Sequence, residues 1–194
     1  LPLGRWALDC AARTMVSWDL AAGRRLPIGI SVNVSAIQIA RDTVPKVVED
    51  VLRRTGLAGH RLTLELTESV IVHEPDRATA VLKALKALDA GIALDDFGTG
   101  YSSLAYLQKL PIDVLKIDRS FVADMLGNRD SVSLVRAVLS LADALGMETT
   151  AEGIETPALA QTLAALGCTK GQGYHFARPL DPGAAFRYAM ERSA

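Results

Sequence analysis

Two adjacent carboxylates, Asp95 and Asp96, have the clearest potential for chemistry in this sequence. They follow the apolar run Ile92–Leu94 and open the glycine-containing stretch Asp95–Ser103, a pattern that predicts strand, loop and helix. Paired acids at a strand end are unfavourable unless a cation or another partner neutralises them. The stretch therefore predicts a metal site at the mouth of an α/β sheet or barrel. A helix-capping aspartate beside a solvated neighbour is the alternative.

Polar side chains also end the other predicted strands. We expect strands near residues 28–35, 61–67, 92–95, 114–118, 147–151 and 169–172, several of which alternate apolar and polar side chains. The polar residues at or near their carboxyl ends are, in chain order, Asn33, Glu65, Asp95, Lys116, Glu152 and Gln172. One polar group at the end of each successive strand is typical of the site in a (β/α)8 barrel.

Helical patterns precede the first strand and separate the others, which indicates an α/β fold with a parallel sheet. In the last helix we expect Ala185, Phe186 and Ala189 to be buried. We predict that residues 1–194 form a single domain, a TIM-like (β/α)8 barrel. It is N-terminally incomplete, with about six strand–helix units, because eight units need roughly 250 residues. An open doubly wound sheet is the alternative, but the glycine fingerprint of its first turn is absent from the sequence.

Composition excludes several classes of protein. The sequence has 194 residues, 49% of them hydrophobic and 22% charged, with a net charge of −1, which is typical of a globular domain without a basic face for nucleic-acid polymers. It contains no apolar run long enough to span a membrane and begins with no signal peptide, so we expect no membrane contact. Cys10 and Cys168 are far apart, which predicts two buried thiols in a reducing cytoplasm.

The candidate ligands all offer oxygen atoms, and they are Asn33, Glu65, Asp95, Asp96 and Glu152. Oxygen donors favour Mg²⁺, Mn²⁺ or Ca²⁺ over zinc. Adjacent aspartates can serve two ions, and a two-ion site activates water for in-line displacement at phosphorus. An enolase-like barrel that uses Mg²⁺ and a lysine base is the alternative from the same residues.

Three further residues have two interpretations each. Lys116 can orient the attacking water and stabilise charge on the phosphate, or it can form only a structural ion pair with Asp118. Glu68 and Glu155 are either anchors of a loop or solvated acids.

Six stretches of the sequence resemble the EAL domain of bacterial cyclic di-GMP phosphodiesterases, in the order of that family. They are residues 31–35, 64–69, 95–103, 115–122, 151–156, and 172–174 with 178–180. The Glu-Ala-Leu motif that names the family is absent from the sequence, together with a nearby arginine. The resemblance therefore implies that two strands, one metal ligand and one substrate-binding residue are missing. We expect the chain as given to be inactive or very weak.

The resemblance also implies an activity, which is hydrolysis of one phosphodiester of cyclic di-GMP to linear 5′-pGpG with two Mg²⁺ or Mn²⁺ ions. Asn33, Glu65 and Asp95 resemble the ligands of one metal. Asp95 resembles the bridging ligand, and Asp96 the ligand of the second ion. Glu152 resembles a second-metal ligand or general base, and Lys116 the lysine that orients water. A receptor that binds cyclic di-GMP without hydrolysis is the alternative.

The family pattern extends to residues around the metal site. It implies that Gln172, Arg178 and Pro179 contact the substrate and that Glu68 and Glu155 anchor loops. It also implies a homodimer formed through the loop after Asp96 and the helix that begins near Ser102 and Ser103. We expect a cytoplasmic location, in a larger sensor protein that is either membrane-bound or soluble.

Overall fold

A computed structural model of the protein describes residues 2–41, 43–68, 70, 75–98 and 107–192. The predicted dimerisation helix near Ser102 and Ser103 lies outside these residues. The described elements are, in chain order, α1 (Pro2–Ala22), β1 (Ile30–Asn33), α2 (Ala36–Ala40), α3 (Val44–Thr55), a 3-10 turn (Gly59–Arg61), β2 (Leu62–Thr67), α4 (Pro75–Lys86), β3 (Gly91–Phe97), β4 (Val114–Ile117), α5 (Arg119–Ala123), α6 (Arg129–Ala144), β5 (Glu148–Ala151), α7 (Pro157–Ala165), β6 (Lys170–Gly171) and α8 (Pro182–Arg192).

The six strands form one parallel sheet in the order β1-β2-β3-β4-β5-β6. A doubly wound sheet reverses its strand order at a switch point, whereas a barrel keeps the order of the chain. The observed order therefore confirms the barrel-type α/β fold and contradicts the doubly wound alternative.

The sheet is curled. Helix α1 precedes the first strand and α8 follows the last one, yet Trp18 of α1 and Phe186 of α8 have their ring centroids 5.9 Å apart. In a flat sheet of this size the outer strands would lie about 24 Å apart, because neighbouring strands are spaced by about 4.8 Å. The six strands thus form a curled half-barrel.

The alternation in β2 shows why the sheet has an apolar and a polar face. Leu62, Leu64 and Leu66 are fully buried, while Thr63, Glu65 and Thr67 are half-buried on the other face. Helices α3, α4 and α6 contribute the apolar residues that complete this core, and they are Val44, Val48, Val51, Ala78, Val81, Leu82, Leu85, Val135, Val138, Leu139 and Ala142. The polar face is left for the site.

A buried ion pair fixes α1 to the amino end of the sheet. Arg61 is 5% exposed, and its guanidinium contacts both carboxylate oxygens of Asp19 and donates from Nε to the carbonyl of Ile28 at 2.9 Å. The amide of Leu26 donates to Asp19 Oδ1 at 2.9 Å. The hydrogen bond from Arg61 lowers the pKa of Asp19 below its ordinary value, against the effect of burial.

Three expectations from the sequence are wrong in detail. Strand β1 is shorter than residues 28–35 because helix α2 begins directly after it, with the amide of Ser35 donating to Gln38 Oε1 at 3.1 Å. Ala185, Phe186 and Ala189 are only half-buried, since α8 packs on α1 along one side and has no buried residue. Cys10 is exposed on α1, and Cys168 is half-buried.

None of the helices that the structure describes is both long and apolar enough to span a membrane.

Candidate functional site

Strands β2 to β5 bring charged side chains together at their carboxyl ends. The Nζ atom of Lys116 lies 2.7 Å from Glu65 Oε2, 2.9 Å from Asp95 Oδ1 and 2.7 Å from Glu152 Oε1. Glu65, Asp95 and Lys116 each lie within two residues of the carboxyl end of a different strand, and Glu152 directly follows a fourth strand, as the barrel prediction requires. The sequence predicted a cation beside carboxylates, and the structure shows one ammonium held by three of them.

Lys116 is buried, with 5% of its surface exposed, and it stays charged. Burial alone would lower its pKa, but hydrogen bonds with Glu152, Glu65 and Asp95 outweigh burial and raise the pKa above its ordinary value. A buried charge is tolerated when partners and hydrogen bonds compensate its desolvation. Lys116 is therefore the internal counterion of the cluster.

A bulge in β3 turns two neighbouring acids toward this cluster. Leu94 pairs with Leu115 and Phe97 pairs with Ile117, so Asp95 and Asp96 together oppose the single residue Lys116. In a regular strand adjacent side chains point to opposite faces of the sheet. Asp96 has φ +54°, a conformation that aspartate adopts more easily than most residues. The bulge explains how consecutive carboxylates reach one site.

The acids of the cluster fit a divalent cation. Asp95, Asp96 and Glu152 each offer a carboxylate oxygen within 4.8 Å of the others. Burial raises the pKa of Glu152, with Lys116 opposing it, and burial together with the charges of Asp95 and Asp118 raises the pKa of Asp96. One ammonium thus leaves an excess of negative charge among oxygen donors, which is the environment that Mg²⁺ and Mn²⁺ prefer.

Glu68 joins the end of β2 to the end of β3. It is 3% exposed, and its Oε2 accepts the amide hydrogen of Gly98 at 3.3 Å. Its Oε1 is buried without a hydrogen-bond partner in the described structure. This geometry fits the predicted loop anchor rather than a solvated acid. Glu155 is exposed, and its anchoring role stays a prediction.

The remaining candidate residues lie around the cluster. Asn33 is exposed and pairs in register with Glu65 on the neighbouring strand. Gln172 is also exposed, and its backbone bonds to Ala151 and Ile154, which flank Glu152. Arg178 and Pro179 are exposed after β6, with the guanidinium of Arg178 stacked 4.5 Å from the ring centroid of Tyr174. The structure thus places Asn33 and Gln172 at strand ends beside the acids.

Asp118 caps a helix, whereas the alternative interpretation of Lys116 paired these two residues. It caps the start of α5, where Oδ1 accepts the amide hydrogen of Ser120 at 2.9 Å, while the ammonium of Lys116 is held by other acids. Hydrogen bonds from Ser120 lower the pKa of Asp118, and its charge raises that of Asp96. The helix-start pattern Asp118-Arg119-Ser120 was the available signal for a cap.

Comparison with known proteins gives consistent relatives. A protein of Pseudomonas aeruginosa named bifunctional diguanylate cyclase/cyclic di-GMP phosphodiesterase MucR is 40% identical over 178 residues, which is 92% of this chain and 26% of that protein. An uncharacterised protein of Azorhizobium caulinodans is 42% identical over 183 residues, 93% of this chain and 25% of the relative. The chain thus spans about a quarter of the length of these relatives.

Solved structures agree with the fold. The MucR phosphodiesterase in complex with c-di-GMP is 39% identical, with a TM-score of 0.89 over 95% of this chain and 74% of that one. The EAL domain of Mycobacterium smegmatis DcpA is 37% identical, with a TM-score of 0.91 over 99% of this chain and 86% of that one. In addition, the protein-family model described as EAL domain matches residues 1–179 of this sequence. The chain belongs to the EAL domain family.

Proposed function

We propose that this domain hydrolyses cyclic di-GMP to linear 5′-pGpG with the help of two divalent ions, Mg²⁺ or Mn²⁺. The observation that carries the proposal is the set of carboxylates Asp95, Asp96 and Glu152 packed around Lys116 at the carboxyl edge of the sheet. The relative MucR is named a cyclic di-GMP phosphodiesterase, and its phosphodiesterase structure was solved in complex with c-di-GMP. Both facts support cyclic di-GMP as the substrate.

Five side chains are suited to hold the ions. Asn33, Glu65 and Asp95 would bind one ion, and Asp95 would bridge to a second ion held by Asp96 and Glu152. The donors are oxygens only and carry more negative charge than Lys116 neutralises, which fits hard divalent cations. Such ions would act as Lewis acids, which stabilise the negative charge on the phosphate oxygens and lower the pKa of the attacking water.

In the reaction a water oxygen forms a new bond to phosphorus, and the bond from phosphorus to the 3′ oxygen breaks. Glu152 accepts the proton of the attacking water, a role that suits a carboxylate whose pKa burial raises. Lys116, held 2.7 Å from Glu152, orients that water and faces the negative charge that develops on the phosphate. The 3′ alcohol leaves with a proton from solvent, and the phosphate stays on the 5′ oxygen.

Other residues would bind the substrate and organise the domain. Gln172, Arg178 and Pro179 would contact cyclic di-GMP, and the loop after Asp96 would carry a homodimer contact. We place the domain in the cytoplasm, and the unpaired thiols Cys10 and Cys168 support a reducing compartment.

The test is incubation of the full-length protein with cyclic di-GMP and Mn²⁺, with chromatography of the products. We expect 5′-pGpG, and we expect a metal chelator to stop its formation. Asp95→Asn should lower kcat by several orders of magnitude, because it removes the bridging carboxylate. Asp89→Asn, at an exposed site before β3, should leave kcat unchanged.

Two outcomes would contradict the proposal. Turnover by Asp95→Asn near the rate of the unmodified protein would contradict the two-metal assignment. Tight binding of cyclic di-GMP without any 5′-pGpG would instead support the non-catalytic receptor.

A further inference from the structure

We propose that Gly153 is a positioning residue for Glu152. Its missing side chain lets the loop after β5 touch the loop after β4, and this contact holds the Glu152 carboxylate against Lys116. The proposal rests on the function proposed above and adds a residue to it, one that acts through Glu152.

The first observation is the close contact at Gly153. A Cβ atom at this position would lie 2.6 Å from Cβ of Arg119 and 3.4 Å from its Cα. The Cβ of Arg119 is fixed by its own backbone, so no side-chain rotation can relieve the overlap. Gly153 also has φ +68°, where side chains other than glycine are strained. A larger residue must therefore push the two loops apart.

The second observation is where this contact lies. Arg119 opens α5 in the segment that follows Lys116, and Gly153 directly follows Glu152. Between the two loops, Lys116 Nζ lies 2.7 Å from Glu152 Oε1, and the amide of Glu152 donates to the carbonyl of Ile117 at 3.1 Å. Separating the loops at Gly153 would therefore change the position of Glu152 relative to Lys116.

The third observation is that the loop after β5 is also held on its other side. The amide of Ile154 donates to the carbonyl of Gln172 at 3.0 Å, and the carbonyl of Ile154 accepts from the amide of His175 at 2.9 Å. A Cβ at Gly173 would lie 2.2 Å from that same carbonyl oxygen. Movement of this loop away from Arg119 would disturb these contacts, so we expect an added methyl group at Gly153 to displace the neighbouring residue Glu152.

The experiment compares Gly153→Ala with Gly146→Ala in the full-length protein. Gly146 has φ +69°, but a Cβ there meets nothing within 4 Å, so this control carries the same backbone strain without the contact. We expect Gly153→Ala to weaken Mn²⁺ binding at least tenfold in calorimetry without substrate, and to lower kcat at least tenfold. Gly146→Ala should change both by less than twofold, although both variants unfold at lower temperature.

A rescue variant separates positioning from general destabilisation. Arg119→Gly removes the atom that the new methyl group would meet, so we expect it to restore most of the Mn²⁺ affinity to Gly153→Ala while leaving the backbone strain. Absence of rescue, or equal losses in Gly153→Ala and Gly146→Ala, would overturn the proposal.

A metal-free measurement keeps this test separate from that of the proposed function. Lys116→Met and Glu152→Gln, combined in a double-mutant cycle, measure the coupling between the two side chains by urea unfolding. The cycle gives a coupling constant, which is a ratio of the unfolding constants of its four proteins. We expect Gly153→Ala to lower this coupling constant at least tenfold and Gly146→Ala to leave it unchanged. Unchanged coupling in Gly153→Ala would refute the positioning role even if the protein hydrolysed cyclic di-GMP.

Discussion

Lys116 and Glu152 come from neighbouring strand ends, and the Nζ atom of the first lies 2.7 Å from Oε1 of the second. The same ammonium contacts Glu65 and Asp95, residues that we propose as metal ligands. A single cation therefore compensates several carboxylates in a buried site. Because unlike charges compensate each other there, removing the lysine and adding a metal ion should have opposite effects on stability.

Lys116→Met should lower the free energy of unfolding of the metal-free protein by about 3–5 kcal/mol, because it leaves the buried carboxylates without their counterion. Saturating Mn²⁺ should recover more stability in this variant than in the unmodified protein. Urea unfolding with and without Mn²⁺ measures both effects. Lys86→Met is the control, since Lys86 pairs with Asp113 in a more exposed site and should matter by less than about 1 kcal/mol. Equal stabilities of the two variants would contradict the role of Lys116.

Glu68→Ala should loosen the turn after β3, because it removes the acceptor of the Gly98 amide hydrogen. We expect a loss of about 1–3 kcal/mol in the free energy of unfolding and faster hydrogen exchange at the Gly98 amide. Glu49→Ala is the matched control, as Glu49 is exposed on α3 and should change neither quantity. Unaltered exchange at Gly98 in Glu68→Ala would show that the carboxylate does not anchor this turn.

Much of this site could be predicted from the sequence because strands have a period of two. Alternation in β2 places Glu65 opposite the buried leucines, and the same reasoning aligns Lys116 and Glu152 at one edge of the sheet. The parallel direction of the strands also followed from their alternation with helices.

The rest depends on contacts between distant segments. Regular alternation would place Asp96 on the face opposite Asp95, and only the pairing of β3 with β4 reveals the bulge that turns both acids toward Lys116. In the same way, the proximity of Gly153 to Arg119 has no local signal in the sequence. The alternating residues 28–35 predict a strand of eight residues, but the observed strand covers only Ile30–Asn33. It is shorter because the hydrogen bond between Ser35 and Gln38 caps a helix that begins at Ala36.

Asp19 should make the stability of the protein depend on pH. The hydrogen bond from Arg61 lowers the pKa of folded Asp19 below the value of about 3.9 in an unfolded chain. The pair therefore stabilises the fold fully above that value, and its contribution is lost as the pH falls through the pKa of the folded state. Asp19→Asn should cost about 3–5 kcal/mol at pH 7, since it leaves Arg61 buried and unpaired in charge.

Urea unfolding between pH 7 and pH 2 checks this prediction. The difference in stability between the unmodified protein and Asp19→Asn should be constant above about pH 4 and should shrink below it, because protonated Asp19 resembles asparagine. Asp89→Asn, in an exposed pair with His60, should follow the unmodified protein throughout. A constant difference between Asp19→Asn and the unmodified protein over this range would argue against the linkage.

Asp96 allows the backbone and the charge of the bulge to be tested separately. Asp96→Asn keeps a residue that tolerates φ +54°, whereas Asp96→Val places a branched side chain in that conformation. In the metal-free protein at pH 7, we expect Asp96→Asn to be more stable than the unmodified chain. The reason is that burial and the charges of Asp95 and Asp118 raise the pKa of Asp96, so its ionised form is less favourable in the folded state.

The advantage of Asp96→Asn should therefore disappear as the pH falls below about 4, where the aspartate is protonated in the folded and unfolded states alike. Asp96→Val should lose about 1–2 kcal/mol in urea unfolding relative to Asp96→Asn. Both variants should bind Mn²⁺ more weakly in calorimetry, because each lacks the carboxylate. Equal stabilities of Asp96→Val and Asp96→Asn would show that the left-handed conformation is not required at the bulge. Binding of Mn²⁺ by both variants with the affinity of the unmodified protein would show that Asp96 is not a ligand.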